Sequence, residues 1–301
     1  MNTLVTGGAG FIGSHLVDRL LDEGHDVSII DDFSEGKYSN LPINKKLTIL
    51  KYSILNDIGN YFAGIDRVYH LAALTRPQFS MLHPIETNQV NVEGIINILK
   101  ACVENRVPRV VFVSSSSIYG KQFTFPTTES AVPHPMSPYA LTKLVGEQYC
   151  KLYQLLYRTK ANYIRPFNVY GTRQRPDSEY AAAIPKFIDC LSKGTTPWIT
   201  GDGKQARDYV YVDDVVDLII KAGESKVYGE AFNAGSGKNI SINDLFETIR
   251  KIMNKNVIPD HVAPVIEPNL TLADIGKAKT MLGWEPKVSL EEGLRRTICV
   301  K

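Results

Sequence analysis

Gly7-Gly8-Ala9-Gly10-Phe11-Ile12-Gly13 restricts the folds open to this chain more than any other stretch. It lies between a short apolar run, Leu4-Val5, and a segment where Ile12, Leu16, Val17, Leu20 and Leu21 recur at helical spacing. Gly24 is placed to end that helix, and Val27-Ser28-Ile29-Ile30 reads as the next strand, finishing at Asp31. A glycine turn inside a strand–helix–strand unit implies a parallel sheet. Gly7 and Gly10 let the turn tighten and the backbone approach a pyrophosphate, whose charge is favoured at a helix N-terminus. Gly13 lets the helix lie close on the strand, and Phe11 and Ile12 belong to the same candidate cofactor turn. Asp31 arrives about 20 residues on, where a carboxylate hydrogen-bonds the ribose hydroxyls and repels a 2′-phosphate. This favours NAD over NADP. Asp32 adjoins it as a further candidate contact.

The alternation continues. Arg67-Val68-Tyr69-His70-Leu71 reads as a buried strand ending in Ala72-Ala73, whose small side chains permit close approach of a cofactor. Ile95, Ile96, Leu99 and Val103 mark an amphipathic helix, and Val110-Val111-Phe112-Val113 is a strand that stops at Ser114-Ser115-Ser116-Ser117. Ligands of an open parallel sheet gather beyond the carboxyl ends of its strands, so these hydroxyls stand where chemistry is done. Asn162-Tyr163-Ile164 is another strand, Asp213-Asp214 reads as a cap for a helix to Lys221, and Ser241-Ile242-Asn243-Asp244 has capping-box spacing. Helical patterns near Ala273–Leu282 and Leu290–Arg296 close the chain.

Ser137-Pro138-Tyr139-Ala140-Leu141-Thr142-Lys143 carries the most pointed chemical suggestion. Ser137 can cap a helix and Pro138 suits its first position, so Tyr139 and Lys143 share one face. An ammonium beside a phenol favours the phenolate, which makes Tyr139 a candidate base. Such a pair alone is common on surface helices. Beside the glycine turn it acquires meaning.

Size and charge set the remaining bounds. A chain of 301 residues buries a sizeable core, and apolar and charged fractions of 44% and 22% are those of a globular protein. The net charge of +2 offers no electrostatic case for nucleic acid or an anionic membrane. Cys102, Cys150, Cys190 and Cys299 lack metal-ligand spacing and read as free thiols, and the histidines do not pair at ligand spacing, so no metal is predicted. A strand in the first residues leaves no room for a signal peptide. The expected setting is cytoplasmic.

Together these residues resemble the extended short-chain dehydrogenase/reductase family, and within it the nucleotide-sugar 4-epimerases of the UDP-glucose 4-epimerase type. The likeness runs through Thr6–His15, His70–Ala73, Asn91-Val92-Glu93-Gly94, Ile118-Tyr119-Gly120, Tyr139 with Lys143, Arg165–Gly171, Arg207–Asp214 and Leu282-Gly283-Trp284-Glu285-Pro286. It implies a Rossmann-like, doubly wound parallel sheet (residues 1–165 plus about 210–236) that binds NAD. A smaller mixed α/β domain (166–209 and 237–301) would bind a UDP-sugar.

The resemblance implies that Ser115, Tyr139 and Lys143 are catalytic. Counting back from Tyr119-Gly120 places the serine at Ser115, with Ser116 the neighbouring alternative. Tyr139 would take the proton of the sugar 4-hydroxyl while C4 gives hydride to the nicotinamide. The 4-keto intermediate would turn over and receive hydride on its other face. Leu71, Ala72, Ala73, Asn91 and Pro166 join the implied cofactor contacts. Asn168, Ile184, Arg207 and Thr271 join the substrate contacts, with Arg207 on the diphosphate. A homodimer through helices near Ile95–Val103 and Leu141–Leu155 is also implied, with Leu144, Val145, Tyr149, Leu152 and Leu156 as its apolar stripe.

The sequence departs from the family in places. The acid often found after the third strand is replaced by Tyr52-Ser53-Ile54, and no arginine stands in Ala263–Asn269 ahead of Leu272-Ala273-Asp274. An Asp-Glu pair, which the 4,6-dehydratases need, is missing at Ser115-Ser116. Ala181–Phe187 is similar to epimerases that accept N-acetylated hexosamines, and Thr271 leaves room beside C2. Arg173-Gln174-Arg175-Pro176-Asp177 is similar to a run in uronate 4-epimerases, whereas Asn168 argues against them. The expected substrate is UDP-glucose/UDP-galactose or the N-acetylated pair. UDP-glucuronate epimerisation, another NAD-dependent sugar-nucleotide oxidation or a non-catalytic NAD sensor are the alternatives. Arg76 and Arg175 read as surface charges, and His70 as a strand-end polar residue.

Overall fold

The computed structural model describes residues 1–176, 182–264 and 268–299, and its first elements follow from the glycine turn. Strand β1 (Asn2–Thr6) enters the turn, α1 (Phe11–Asp22) leaves it, and β2 (Asp26–Asp31) lies parallel to β1. Gly24, at φ +83°, takes the left-handed conformation that stops α1 without steric cost. The strands β3 (Leu47–Lys51), β4 (Arg67–His70), β5 (Arg109–Val113) and β6 (Lys160–Pro166) follow. Helices α2 (Pro77–Leu82), α3 (Pro84–Asn88) and α4 (Gly94–Glu104) separate β4 from β5, and α5 (Pro138–Tyr157) separates β5 from β6.

The chain then builds β7 (Asn168–Tyr170), α6 (Ala183–Lys193), β8 (Trp198–Thr200), β9 (Ala206–Arg207) and β10 (Tyr209–Tyr211). Helix α7 (Val212–Glu224) returns it to the main sheet at β11 (Ala231–Ala234). Last come β12 (Ile240–Ser241), α8 (Ile242–Ile252), β13 (Asp260–Val262), α9 (Gly276–Leu282) and α10 (Leu290–Cys299). Ser241 Oγ accepts from Asp244 N at 3.1 Å, the cap its spacing predicts.

The main sheet has the order β11-β6-β5-β4-β1-β2-β3, and every pairing in it is parallel. Its order reverses between β1 and β4, which opens a crevice beyond their carboxyl ends. One face packs on Leu16 and Leu20 of α1 with Val215 and Ile219 of α7. The other packs on Ile95, Ile98 and Leu99 of α4 with Cys150 of α5. Both faces are covered, so Arg67–His70 is buried throughout. Short pairs β7–β10, β8–β13 and β9–β12 form outside the main sheet.

Asp213 and Asp214 do not cap α7 as the sequence suggests. Tyr211 is the N-cap, without a side-chain bond, and both acids lie in the first turn. The Asp214 carboxylate instead accepts from Lys287 N (2.9 Å) and Val288 N (3.1 Å), and its carbonyl accepts from Trp284 Nε1 (3.0 Å). This docks Leu282–Pro286 onto α7, with Trp284 fully buried.

Candidate active site

Helix α5 starts as its sequence requires. Ser137 Oγ accepts from Ala140 N at 3.2 Å, and Pro138 occupies the first turn, where a missing N–H costs nothing. Tyr139 and Lys143 then face the sheet, 7% and 3% exposed. Tyr139 N donates to Ser80 Oγ at 3.0 Å, which seats the start of α5 on α2.

Ser115 follows β5 and caps the short turn Ser116–Tyr119. Its Oγ accepts from Ser117 N (3.1 Å) and Ser117 Oγ (2.9 Å), and the same side chain stands near enough to the Tyr139 phenol to lower its pKa. Of the serines considered from the sequence, Ser115 is the one that bears on the Tyr139 phenol. Lys143 Nζ donates to Val113 O at 2.8 Å, the last carbonyl of β5, with its nitrogen 5.1 Å from the Phe112 ring centre.

The electrostatics differ from the sequence expectation. Burial raises the Tyr139 pKa above that of an ordinary phenol, and the Ser115 side chain lowers it only in part. Burial also pushes Lys143 down to about 7, since a dry interior disfavours the ammonium. Lys143 donates to a backbone carbonyl and is not among the groups that shift the Tyr139 phenol, so in the protein by itself it does not hold Tyr139 as phenolate. A stability prediction follows. The unfolded chain keeps this proton to a higher pH than the folded one, so stability gains from Lys143 as pH rises from about 7 toward the ordinary lysine value. Urea unfolding at pH ~7.5 and ~9.5 should show wild type gaining on a Lys143→Met variant. A pH-independent difference would refute it.

His70 is 1% exposed, its Nδ1 is 2.7 Å from Thr6 Oγ1, and its ring stacks on Phe112. Burial, aided by the Lys143 charge, pushes it down to about 3. It is a neutral polar group at the end of β4.

At Gly7, Gly8 and Gly13 the turn has no space for a side chain. Gly7 has φ +70°, and a Cβ there would meet Ala72 N at 2.8 Å, so the turn lies against Leu71-Ala72. A Cβ on Gly13 would strike Gly7 O. Gly10 N donates to Gly7 O at 3.2 Å and Ser14 N to Gly10 O at 3.0 Å. No described side chain caps α1 and its first turn holds no acid, so its positive end is open to an anion.

Asp31 is buried at the end of β2, accepting from Ala9 N and Phe33 N at 2.8 Å each, and burial raises its pKa. A carboxylate has about four lone-pair sites, so each oxygen retains capacity for a ribose hydroxyl. Asp32 is exposed and shapes the next turn by accepting from Ser34 N (2.9 Å) and Ser34 Oγ (2.6 Å). Asn91 sits in a wide helical turn, Gln89–Glu93. It accepts from Leu74 N (2.8 Å) and donates to Leu74 O and Thr142 Oγ1 (both 3.0 Å), fixing the β4 loop to α5. Pro166 ends β6 beside Ala234.

These residues fit a dinucleotide, with a glycine-rich turn for phosphate and the Asp31 carboxylate for a ribose. Asp31→Ala should weaken NAD binding about tenfold to hundredfold, the loss of charged hydrogen bonds worth ~1.5–3 kcal/mol. Calorimetric titration checks this. An unchanged dissociation constant would contradict the assignment.

The substrate-side residues also converge. Asn168 Nδ2 donates to Asp208 O (2.9 Å) and Thr271 Oγ1 (3.3 Å), and Thr271 N donates to Ala206 O (3.1 Å). Arg207, 7% exposed, lies between, with Nη1 donating to Ala206 O at 3.0 Å. Beneath them is a residue the sequence reading gave no role. Asp208, fully buried, accepts from Ser236 N and Ser236 Oγ (both 2.7 Å), Gly237 N (3.1 Å) and Ala273 N (3.0 Å).

Other expectations need correction. Ile184 is 1% exposed and packed in the main core, because the apolar face of α6 turns inward, so its side chain supports the wall. Arg76 and Arg175 are more than stray surface charges. Both reach Glu35 Oε2, at 2.6 and 3.2 Å, and thereby link the loops after β4, β7 and β2. The arginine-free run ahead of Leu272 and the motif from Ala181 fall partly outside the described residues.

A buried polar network behind Tyr139 also escaped the sequence reading. Arg165 Nε and Nη2 donate to Glu147 Oε1 and Oε2 at 2.9 and 2.7 Å, and Nη1 donates to Tyr119 Oη at 2.9 Å. Tyr119 Oη donates to Asn233 Oδ1 at 2.7 Å. The available signal was spacing, since Glu147 repeats the step from Tyr139 to Lys143 on one helix face.

Residues 3–235 match the model of the NAD dependent epimerase/dehydratase family. A UDP-glucose 4-epimerase of Mycolicibacterium smegmatis is 39% identical over 99% of this chain and 97% of its own length. The UDP-glucose 4-epimerase of Thermotoga maritima, solved with UDP-glucose, superposes with a TM-score of 0.96 at 38% identity, covering 99% of this chain and 97% of that one. A UDP-N-acetylglucosamine 4-epimerase from Methanobrevibacter ruminantium, in complex with UDP-N-acetylmuramic acid, gives the same TM-score, identity and coverage. On its glycine cradle, its Ser115–Tyr139–Lys143 site and these matches, the chain belongs to the NAD-dependent epimerase/dehydratase family.

Proposed function

We propose that this protein inverts C4 of a UDP-hexose, either UDP-glucose/UDP-galactose or the N-acetylated pair. The observation that carries the reading is the gathering of Ser115, Tyr139 and Lys143 at the end of β5, on the same carboxyl edge of the parallel sheet as the turn of Gly7, Gly10, Phe11, Ile12 and Gly13 after β1 and Asp31 at the end of β2. Those turn residues and Asp31 would hold NAD, which when bound accepts a hydride from a substrate carbon and returns it. Tyr139 Oη takes the proton of the 4-hydroxyl and later restores it. Ser115 Oγ, oriented by Ser117, hydrogen-bonds both the phenol and the sugar oxygen. Lys143 Nζ, held at the end of β5, keeps further N–H groups for the cofactor ribose.

On the other side Arg207 offers its guanidinium to the diphosphate, with Asn168 and Thr271 beside it. Thr271 is small enough to admit an acetamido group at C2. Arg173 pairs with Asp18 at 2.7 Å and Arg175 with Glu35, which favours a neutral sugar over a uronate. The division into residues 1–165 with about 210–236, and 166–209 with 237–301, serves cofactor and substrate respectively.

Of the expected stripe, Leu144 and Tyr149 pack partly against the core while Leu152 and Leu156 are exposed; these two, with the exposed Leu155 and Tyr157, support a homodimer, which light scattering in solution tests. Free thiols at Cys102, Cys150, Cys190 and Cys299 support a reducing, cytoplasmic setting. No described helix is long and apolar enough to cross a membrane.

The deciding experiment incubates pure protein with UDP-galactose, UDP-N-acetylgalactosamine and UDP-galacturonate and resolves C4 epimers by NMR. Conversion of either of the first two, without net change in reduced-nicotinamide absorbance, is expected. No conversion of any would overturn the reading, and stoichiometric cofactor reduction would make the protein a dehydrogenase.

A further inference from the structure

At the edge of the sheet remote from the active site, the fold gathers ligands that histidine spacing could not reveal. Glu23 is the C-cap of α1, His25 directly precedes β2, and Glu224 ends α7. One imidazole nitrogen and one oxygen of each carboxylate lie within 4.8 Å of one another. His25 is 9% exposed, and its Nδ1 is buried without a hydrogen-bond partner among the described residues. A buried polar nitrogen left in that state is uncommon in folded proteins and points to a missing partner.

Two further features favour a cation. The C-terminal ends of α1 and α7 meet here, and each carries partial negative charge. Imidazole with two carboxylates is also a donor set that Zn²⁺ accepts, with water completing the shell. Bonds of about 2.0–2.2 Å would draw the ligands to roughly 3.5 Å apart, so side-chain rotation closes the set. Arg67 and the Met1 ammonium are the competing cations: Arg67 Nη1 lies 3.6 Å from Glu224 Oε1, the Met1 ammonium also acts on His25, and an ion must share that carboxylate or displace the arginine.

We propose that Glu23, His25 and Glu224 form a structural site for a divalent transition metal, best matched by Zn²⁺, that staples α1 to β2 and α7. The phosphate-binding turn begins α1 at its opposite end, so the ion would steady the helix without touching the chemistry.

The test titrates chelator-treated, full-length protein with Zn²⁺, with Co²⁺ as an absorbing probe and Mg²⁺ for comparison. One Zn²⁺ per chain should bind and raise Tm by a few degrees, while Mg²⁺ does neither. Glu23→Gln and Glu224→Gln should each bind Zn²⁺ about tenfold more weakly or worse, and His25→Asn should lose the Co²⁺ imidazole signature. Epimerase rates should stay unchanged in all. Should His25→Asn fail to fold, Glu23→Gln decides, because that residue is exposed. Absence of stoichiometric Zn²⁺, or undiminished affinity in Glu23→Gln, overturns the proposal, the latter by placing the ion elsewhere.

Discussion

Replacing Tyr139 with phenylalanine is expected to lower kcat by roughly 10²–10⁴-fold, the usual contribution of a positioned proton-transfer group. The ring still fills its site, since only the hydroxyl is removed and the helix cap rests on Ser137. Fold and NAD content should therefore survive, and far-ultraviolet circular dichroism with cofactor release on denaturation checks both. A pH signature accompanies the effect. Burial holds the free phenol above its ordinary pKa, so wild-type kcat/KM should climb as pH rises past neutrality. Ser115→Ala removes the hydroxyl that favours ionisation and should move that rise to higher pH. Wild-type turnover in Tyr139→Phe would revive the view of the protein as a sensor that binds NAD without chemistry.

Glu147→Ala should be the most destabilising single change near the site, by about 3–5 kcal/mol, because it leaves a guanidinium buried without its carboxylate. Glu147 is fully buried and Arg165 is 4% exposed, so water cannot replace the lost partner. The pair joins the middle of α5 to β6, and Arg165 continues to Tyr119 in the turn that Ser115 caps. Catalysis should fall with stability, since the network joins the helix that carries Tyr139 to the turn that Ser115 caps. Urea unfolding measures the first effect and kcat at low temperature the second. Glu147→Gln keeps the shape and should recover part of both. A loss below about 1 kcal/mol in Glu147→Ala would mean that the pair is not what holds α5.

The cofactor half was legible because its signals are local. A glycine turn, a helical apolar spacing and an aspartate at the strand end each declare themselves within some thirty residues, roughly the length of one βαβ unit. Tyr139 and Lys143 were legible for the same reason, one helix turn apart behind a Ser-Pro start. What escaped depends on partners distant in the chain. The link between Glu147 and Arg165 exists only once α5 lies on β6, and Arg76, Glu35 and Arg175 meet only after three loops close on one another. Asp214 looked like a cap because its spacing allowed one, but residues 287–288 claimed the carboxylate instead. Lys143 misled for a subtler reason, since spacing conveys proximity and says nothing about the desolvation that dominates a buried amine.

Asp208 has a consequence for how sugar preference can change. By gathering Ser236, Gly237 and Ala273 on one carboxylate, with Thr271 bonded to its own backbone nitrogen, it makes the wall proposed to meet the sugar a single mechanical part. A larger residue at Thr271 would press on Asn168 and on this anchor together. If this wall meets the sugar as proposed, selectivity is inherited as a linked block, and retuning it calls for coordinated replacements across the block.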